Sequence, residues 1–398
     1  MNTKTRDIKW YQKQVKKLIE INKNCHPQKS PGWYEMRNTR ITASSASSCL
    51  PKIEEICIPY EKLFNVKIKY NPNQCFNTYE TKEDFIINKC RAFYGENLFK
   101  DNIYTLHGKK FEEISTRLYR KVYDTEVLEF GLLPHPRLSW LAMSPDGINP
   151  MGVMLEIKNP NKMYTVPSMT YFTQMQIQME TANLDECDFL VCDVKNIDTE
   201  QEFIDRIIDE SQNMLITNSC KQYKGILLNK VAEPDNNITK YIYPPDNLNT
   251  ITDFLNWSQN TILEYQQNSI EVIPNYYIIQ EWSVIRINRN KEWFNIIKPY
   301  LKTTMDLIKK LQADPQLFKD YRESIHKIRS KEYYEKYNST VCLIEPDNDA
   351  DHDELFVINS NVRYNDTDPD EMDIDIPEIL DTETLSKLQN KLCLLSDN

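Results

Sequence analysis

The sequence predicts an α/β fold: a small mixed β-sheet flanked by helices, with helical additions and an acidic C-terminal stretch. Three observations carry that expectation. Between residues 109 and 194 the periodicities run helix, three strands, helix, strand, the order of a layered α/β core. Within that span, Val153-Met154-Leu155-Glu156-Ile157-Lys158 puts Val153, Leu155 and Ile157 on one face of a strand. The 398 residues are 40% hydrophobic and 11% aromatic, enough for a sizeable core, which excludes wholesale disorder.

The elements follow in order. Residues 1–30 read as a basic, partly helical lead-in, with apolar residues at 10, 11, 15, 18, 19 and 21. The run from Thr42 to Ser48 suits a helix start with small capping side chains. Residues 51–103 read as mixed helix and loop. Phe111, Ile114, Leu118 and Val122 recur on one face, so 109–123 is an amphipathic helix. Strands are expected at 126–133 and 137–143, joined by Pro134-His135-Pro136. Ser144-Pro145-Asp146-Gly147 is a turn. A third strand at 153–158 stops at Asn159-Pro160, because proline cannot donate to a ladder. A helix over 168–182 and a buried strand over 187–194 complete the core. Farther on, 276–287 reads as a strand pair and 291–311 as a strong helix. The expected domains are the lead-in at 1–30, a main domain at 31–330 with its motif core at 31–200, and a largely disordered tail at 331–398. Residues 384–395 have the spacing of a short amphipathic helix.

Charge is unevenly placed. The whole chain carries −11, yet 345–383 holds fifteen acidic residues against Arg363 alone. That stretch is −14, so the remainder is +3, a mildly basic body compatible with a nucleic-acid partner. The ten cysteines have no CxxC spacing, and with the five histidines they complete no zinc pattern. They read as reduced packing residues of an intracellular protein. No apolar run approaches the ~20 residues that span a bilayer. Five of the seven glycines fall between 95 and 152, in a chain otherwise poor in glycine.

The chemistry concentrates there. Glu156 and Lys158 share the strand face opposite Leu155. Asp146 lies ten residues upstream, in a turn, and a short hairpin brings it back beside Glu156. Two carboxylates so placed form a hard-oxygen site suited to Mg²⁺. A lysine beside them stabilises charge at phosphorus. A lone Glu-x-Lys in a strand is more often a salt bridge on a solvated face. Flanking residues shift the balance here. Glu112 adjoins the apolar stripe at Phe111, although Glu113 is an equal candidate. Gln174 and Gln178 share a helix face at i, i+4.

The combined order resembles the phage lambda-type exonuclease and YqaJ-like viral recombinase family, a branch of the PD-(D/E)xK nuclease superfamily. It comprises Gly108/Glu112, Ser144-Pro145-Asp146-Gly147, Glu156-x-Lys158 and Tyr171-x-x-Gln174-x-Gln176. Arg37-x-x-x-Ile41-Thr42-Ala43-Ser44 is similar to that family's arginine-to-serine element. The resemblance implies a PD-(D/E)xK, restriction-endonuclease-like core and a Mg²⁺-dependent DNA exonuclease, with Mn²⁺ as a substitute. It implies 5′→3′ digestion of duplex ends, leaving 3′ tails for viral or phage-type recombination. By the same resemblance Glu112, Asp146, Glu156 and the Ile157 carbonyl are metal ligands. Lys158 and Gln174 orient the attacking water. Arg37 and Ser44 hold the 5′-phosphate, and Ser144 supports the turn or a phosphate. Double-stranded DNA ends, a single-strand annealing protein and a trimeric homo-oligomer are the implied partners. A soluble protein of the host cytoplasm, viral replication site or nucleus is expected. Two alternatives stay open: a structure- or sequence-specific endonuclease on the same core, and an inert module that binds DNA ends.

Overall fold

A computed structural model describes residues 6–96, 103–160, 162–206, 222–231 and 240–341. The acidic stretch at 345–383 and the helix expected at 384–395 lie outside the described residues. The elements run α1 (Ile8–Asn22), α2 (Pro31–Asn38), β1 (Ile41–Thr42), a 3-10 helix (Ala43–Cys49), β2 (Pro51–Lys52), α3 (Glu54–Phe64), β3 (Asn71–Cys75), α4 (Lys82–Phe93) and α5 (Ile103–Tyr123). Next come β4 (Leu133–Pro134), β5 (Leu141–Met143), β6 (Gly147–Ile148), β7 (Val153–Lys158), α6 (Met169–Ala182), β8 (Glu186–Ile197) and α7 (Glu200–Asp205). Then follow β9 (Tyr223–Lys230), β10 (Lys240–Ile242), α8 (Ile251–Gln267), β11 (Val272–Asn288), α9 (Lys291–Ala313) and α10 (Pro315–Val341). Two compact units result, 1–314 and 315–398. In the second, α10 runs through residue 330, where the sequence reading divides the chain.

The main sheet has the order β10-β9-β11-β8-β7-β6. It is mixed: β7 pairs with β8 in parallel, and its other pairings are antiparallel. Leu155, Ile157, Leu190, Cys192 and Val194 form one core with Phe111, Ile114 and Leu118 of α5 and Phe254 of α8. The alternate residues of β7, Met154 and Glu156, are fully buried on the other face, toward α6. The side-chain period of a strand thus divides hydrophobic core from polar site within six residues.

Two expectations need correction. The strands at 126–133 and 137–143 shrink to β4, β5 and one bridge from Leu128 to Ile148. Pro134 and Pro136 lack ladder donors, and the His135 ring takes the N–H groups of Arg137 and Leu138, each at 3.1 Å. The strand pair at 276–287 is one strand, β11, bulged between Ile279 and Glu281. It contains no Gly-Asn or Asn-Gly signal that would turn the chain, so it runs on and fills the sheet centre. The serine-rich start at 43–49 is a 3-10 helix. Its serines bond local backbone, as Ser45 Oγ does with the Thr42 N–H at 3.3 Å.

The lead-in is part of the body. Val15 and Leu18 of α1 are buried, Tyr11 donates to Asp185 at 2.9 Å, and Gln14 donates to the Ala182 carbonyl at 2.7 Å. Gly147 follows the Asp146 turn for a steric reason. A Cβ there would stand 2.1 Å from Val127.

Candidate active site

The site grows from the end of β7. The β6–β7 hairpin pairs Gly147 with Leu155, which sets Asp146 at the level of Glu156. Asp146 Oδ2 accepts the Ile157 N–H at 2.6 Å. This carboxylate ties down an N–H of β7 where the two-residue strand β6 gives out. Glu156 is fully buried, and both its oxygens have donors. Lys158 bonds Oε1, and Gln178 donates to Oε2 at 2.8 Å. Gln178 also reaches the Ser144 carbonyl at 3.4 Å. Its own Oε1 is buried and has no partner among the described residues. The Lys158 ammonium lies 5.0 Å from the ring centre of Tyr171.

The electrostatics are those of crowded acids. Burial first, then the Glu156 and Glu112 charges, push the Asp146 carboxyl well above its usual range. Glu112 also rises. Burial is the largest cause and Glu156 and Glu113 add to it, while Lys29 and Lys158 oppose it. For Lys158, burial alone would lower the pKa. The Glu156 and Asp146 charges outweigh burial and hold it above its ordinary value. Glu113 is engaged elsewhere. It pairs with Arg117 at 3.0 Å and Arg120 at 3.3 Å, and both arginines reach Asp246.

A hard cation suits this donor chemistry. Desolvation and neighbouring charge raise the half-buried Asp146 and Glu112 carboxyls, and the Gln178 Oε1 is a buried acceptor with no partner among the described residues. The side chains are not gathered into a cage, however. Among the described residues no three Asp, Glu, His or Cys groups stand close enough to hold an ion. Lys158 occupies the Glu156 oxygen instead.

The second cluster stands on α2 and the 3-10 helix. Ser30 caps α2, whose Trp33 and Arg37 are one turn apart. The Arg37 guanidinium stacks 4.3 Å from the Trp33 ring centre and donates to Ser44 Oγ at 3.5 Å. The Trp33 indole N–H donates to Ser144 Oγ at 3.0 Å. One path of contacts therefore runs from Arg37 through Trp33, Ser144 and Gln178 to Glu156. Burial lowers Arg37 to about 10, so it keeps its charge at neutral pH. Lys89 of α4 donates to the carbonyl of Arg37 in the last turn of α2 and to that of Arg40 just beyond it, and Gln312 of α9 donates to the Asn38 carbonyl at 3.1 Å.

The predicted residues divide clearly. Asp146, Glu156 and Lys158 converge, with Glu112 in electrostatic reach, and Arg37 meets Ser44. Gln174 is buried one turn before Gln178 and makes no side-chain hydrogen bond among the described residues. Gln176 serves packing: it receives the Asn290 N–H at 2.6 Å and donates to the Asn288 carbonyl at 2.9 Å, fixing the start of α9. Sequence reasoning passed over Trp33 and Lys89. Trp33 left a signal, an aromatic four residues before an arginine on a short helix. Lys89 left none, because its partners are backbone carbonyls.

The chain is 27% identical over 321 residues to the uncharacterised protein R354 of Acanthamoeba polyphaga mimivirus, covering 71% of this chain. It spans about half (52%) of that relative's length. Its fold was matched with the crystal structure of the alkaline exonuclease LHK-Exo of Laribacter hongkongensis, at 15% identity and a TM-score of 0.40, covering 74% of this chain and 100% of that one. A phage-related exonuclease of Haemophilus somnus gives 13% identity and a TM-score of 0.37, with 69% and 95% covered. Among family models, the YqaJ-like viral recombinase domain matches residues 32–185, which include Arg37, Ser44, Glu112, Asp146, Glu156, Lys158 and both glutamines, Gln174 and Gln178. Residues 32–185 are thus a YqaJ-like viral recombinase domain match, in the family that the motifs of this segment resemble.

Proposed function

We propose that this chain is a Mg²⁺-dependent exonuclease that degrades the 5′-ended strand of duplex DNA, leaving 3′ tails for viral recombination or genome processing. One observation carries the reading: the path from Arg37 and Ser44 to Glu156 makes an anion-gripping pair and a carboxylate cluster a single connected unit. An enzyme that works from a strand end needs that coupling, because the grip on the terminal phosphate sets which phosphodiester meets the chemistry.

Glu112, Asp146, Glu156 and the Ile157 carbonyl would hold Mg²⁺, or Mn²⁺ in its place. A bound ion supplies an acidified water and charge stabilisation at phosphorus. The chain does the rest. Lys158, cationic and fixed over Tyr171, leaves Glu156 to face the phosphate charge. Gln178 holds Glu156 in place through its other oxygen, and Gln174 orients the water. Arg37 and Ser44 give the terminal phosphate charge-assisted and hydroxyl contacts. Ser144 braces the Asp146 turn through Trp33. The decisive experiment digests linear duplexes bearing 5′-phosphate or 5′-hydroxyl ends, beside closed circles, with and without Mg²⁺. Expected is Mg²⁺-dependent loss of linear DNA, faster from 5′-phosphate ends. Cutting of closed circles at a similar rate would replace this reading with an endonuclease.

A further inference from the structure

A second polar site lies on the other side of α6, away from Glu156. It is a half-open cavity of about 380 Å³ lined by His135, Arg137, Leu138, Glu180, Phe294, Asn295 and Lys298. His135 sits in the β4–β5 turn and is 5% exposed. Its Nδ1 accepts two backbone N–H groups, from Arg137 and Leu138. That assigns the proton to Nε2, making it a donor. Nε2 is buried without a partner among the described residues. The ring cannot turn to find one, because the two N–H groups hold one edge and Phe294 stacks parallel to its face at 6.2 Å.

Charge around the cavity is positive. Glu180, the one acid in its wall, is already paired with Arg289, a side chain 6% exposed that also donates to Asn183 at 2.9 Å. Arg137 and Lys298 have no ion-pair partner among the described residues and stand at the exposed rim. Donors thus come from two elements, the β4–β5 turn and α9. A buried donor without an acceptor is unusual in a native protein, and a ligand is one of its ordinary explanations. Several donors around one space favour an acceptor with several oxygens, which is phosphate chemistry.

We propose that this cavity is a second phosphate-binding site, taking a phosphomonoester or phosphodiester on the His135 Nε2–H, Arg137, Asn295 and Lys298. It is separate from the Arg37/Ser44 pair, and it does not depend on the nuclease reading. The source of the phosphate is a free nucleotide or a nucleic-acid strand.

The test is titration of the full chain carrying Arg37→Ala, in EDTA, so that neither the first anion site nor cleavage contributes. Three probes are used: inorganic phosphate, dAMP and a ten-nucleotide oligothymidine. Binding is followed calorimetrically and by the imidazole ¹⁵N–¹H resonance of His135. Adding Arg137→Ala and Lys298→Ala, both at exposed positions, should raise the Kd at least about tenfold with an unchanged melting temperature, one lost charge-assisted contact being enough for that. dAMP binding tighter than the oligonucleotide would identify a free nucleotide as the source, and the reverse order a strand. Binding of no probe at millimolar concentration would overturn the proposal. So would affinity unchanged in the double variant, or a His135 resonance that does not move.

Discussion

Two acid clusters are built around one buried carboxylate each, Glu156 on β7 and Asp188 on the neighbouring strand β8, and they are built differently. On β8, Asp188 has a side chain 2% exposed. It receives the Tyr119 hydroxyl at 2.7 Å and two donors from Arg286, one at 3.1 Å. The neighbouring acid, Glu186, stands 43% exposed, where water screens it. On β7, Glu156 also has two donors, yet Asp146 and Glu112 crowd it and are pushed toward their protonated forms. The β8 cluster balances its buried charge, and the β7 cluster does not. Carboxyls perturbed in the second way are the kind that cluster at functional sites, and that is the contrast the proposed function rests on.

The sharpest way to break this contrast is to remove one acid from each strand. Glu156→Ala should reduce cleavage by about a thousandfold while the protein remains folded, a loss typical of removing a main electrostatic contact of the reacting group. Retention of a tenth of wild-type activity would take Glu156 out of the chemistry. The Arg37/Ser44 end of the contact path is tested next. Arg37→Ala removes a charge-assisted contact of about 1.5–3 kcal/mol, so it should cost roughly ten- to hundredfold on 5′-phosphate ends and little on 5′-hydroxyl ends. Equal loss on both ends would assign Arg37 to the fold.

Asp188→Ala should do the opposite of Glu156→Ala. It strands Arg286 and Tyr119 and should lower stability by about 2–3 kcal/mol, somewhat below the cost for a fully buried pair because Arg286 is 45% exposed. Cleavage per folded molecule, measured well below the melting temperature, should stay at the wild-type rate. A catalytic defect instead would erase the distinction between the two strands.

The smallest effect concerns Lys89. Burial first, then the Arg37 charge, pull its pKa down to about 7. Above that pH the folded protein carries it neutral, while the unfolded chain keeps its proton into the ordinary lysine range. The unfolded state then binds more protons, so this residue makes stability rise with pH between about 7 and 10 and contributes no further slope below. Lys89→Met should flatten that rise in urea melts taken across the window. It should also weaken the 5′-phosphate preference by roughly two- to fivefold, since about 0.5–1 kcal/mol of positioning is lost when the α2 carbonyls lose their donor. An unchanged pH slope would mean that Lys89 is not titrating there.

Legibility from sequence followed the range of the interaction. The strand at 153–158, its stop at Asn159-Pro160 and the helix ending at Ala182 depend on neighbours in the chain, and they fell where the periodicities put them. The hairpin return of Asp146 to the level of Glu156 was legible for the same reason, since ten residues leave few routes. The segment at 126–143 was not. Its alternation is strand-like, but His135 folds back on its own backbone and takes the N–H groups a partner strand would need.

By itself the sequence determined which side chains carry charge and which face of each regular element they occupy, because both follow from covalent order and from periods of 2 and 3.6 residues. Only the tertiary structure decided which of several equivalent groups were used. Glu112 and Glu113 are adjacent in sequence; Arg117 and Arg120 of the same helix hold Glu113, and it is the packing of that helix on the sheet that brings Glu112 into electrostatic reach of Glu156. Gln174 and Gln178 share one face, yet only Gln178 meets Glu156. Trp33 and Ser144 are 111 residues apart and are joined by a single hydrogen bond. Distances of that kind are set by how helices and sheet pack, and packing depends on every side chain in the core at once.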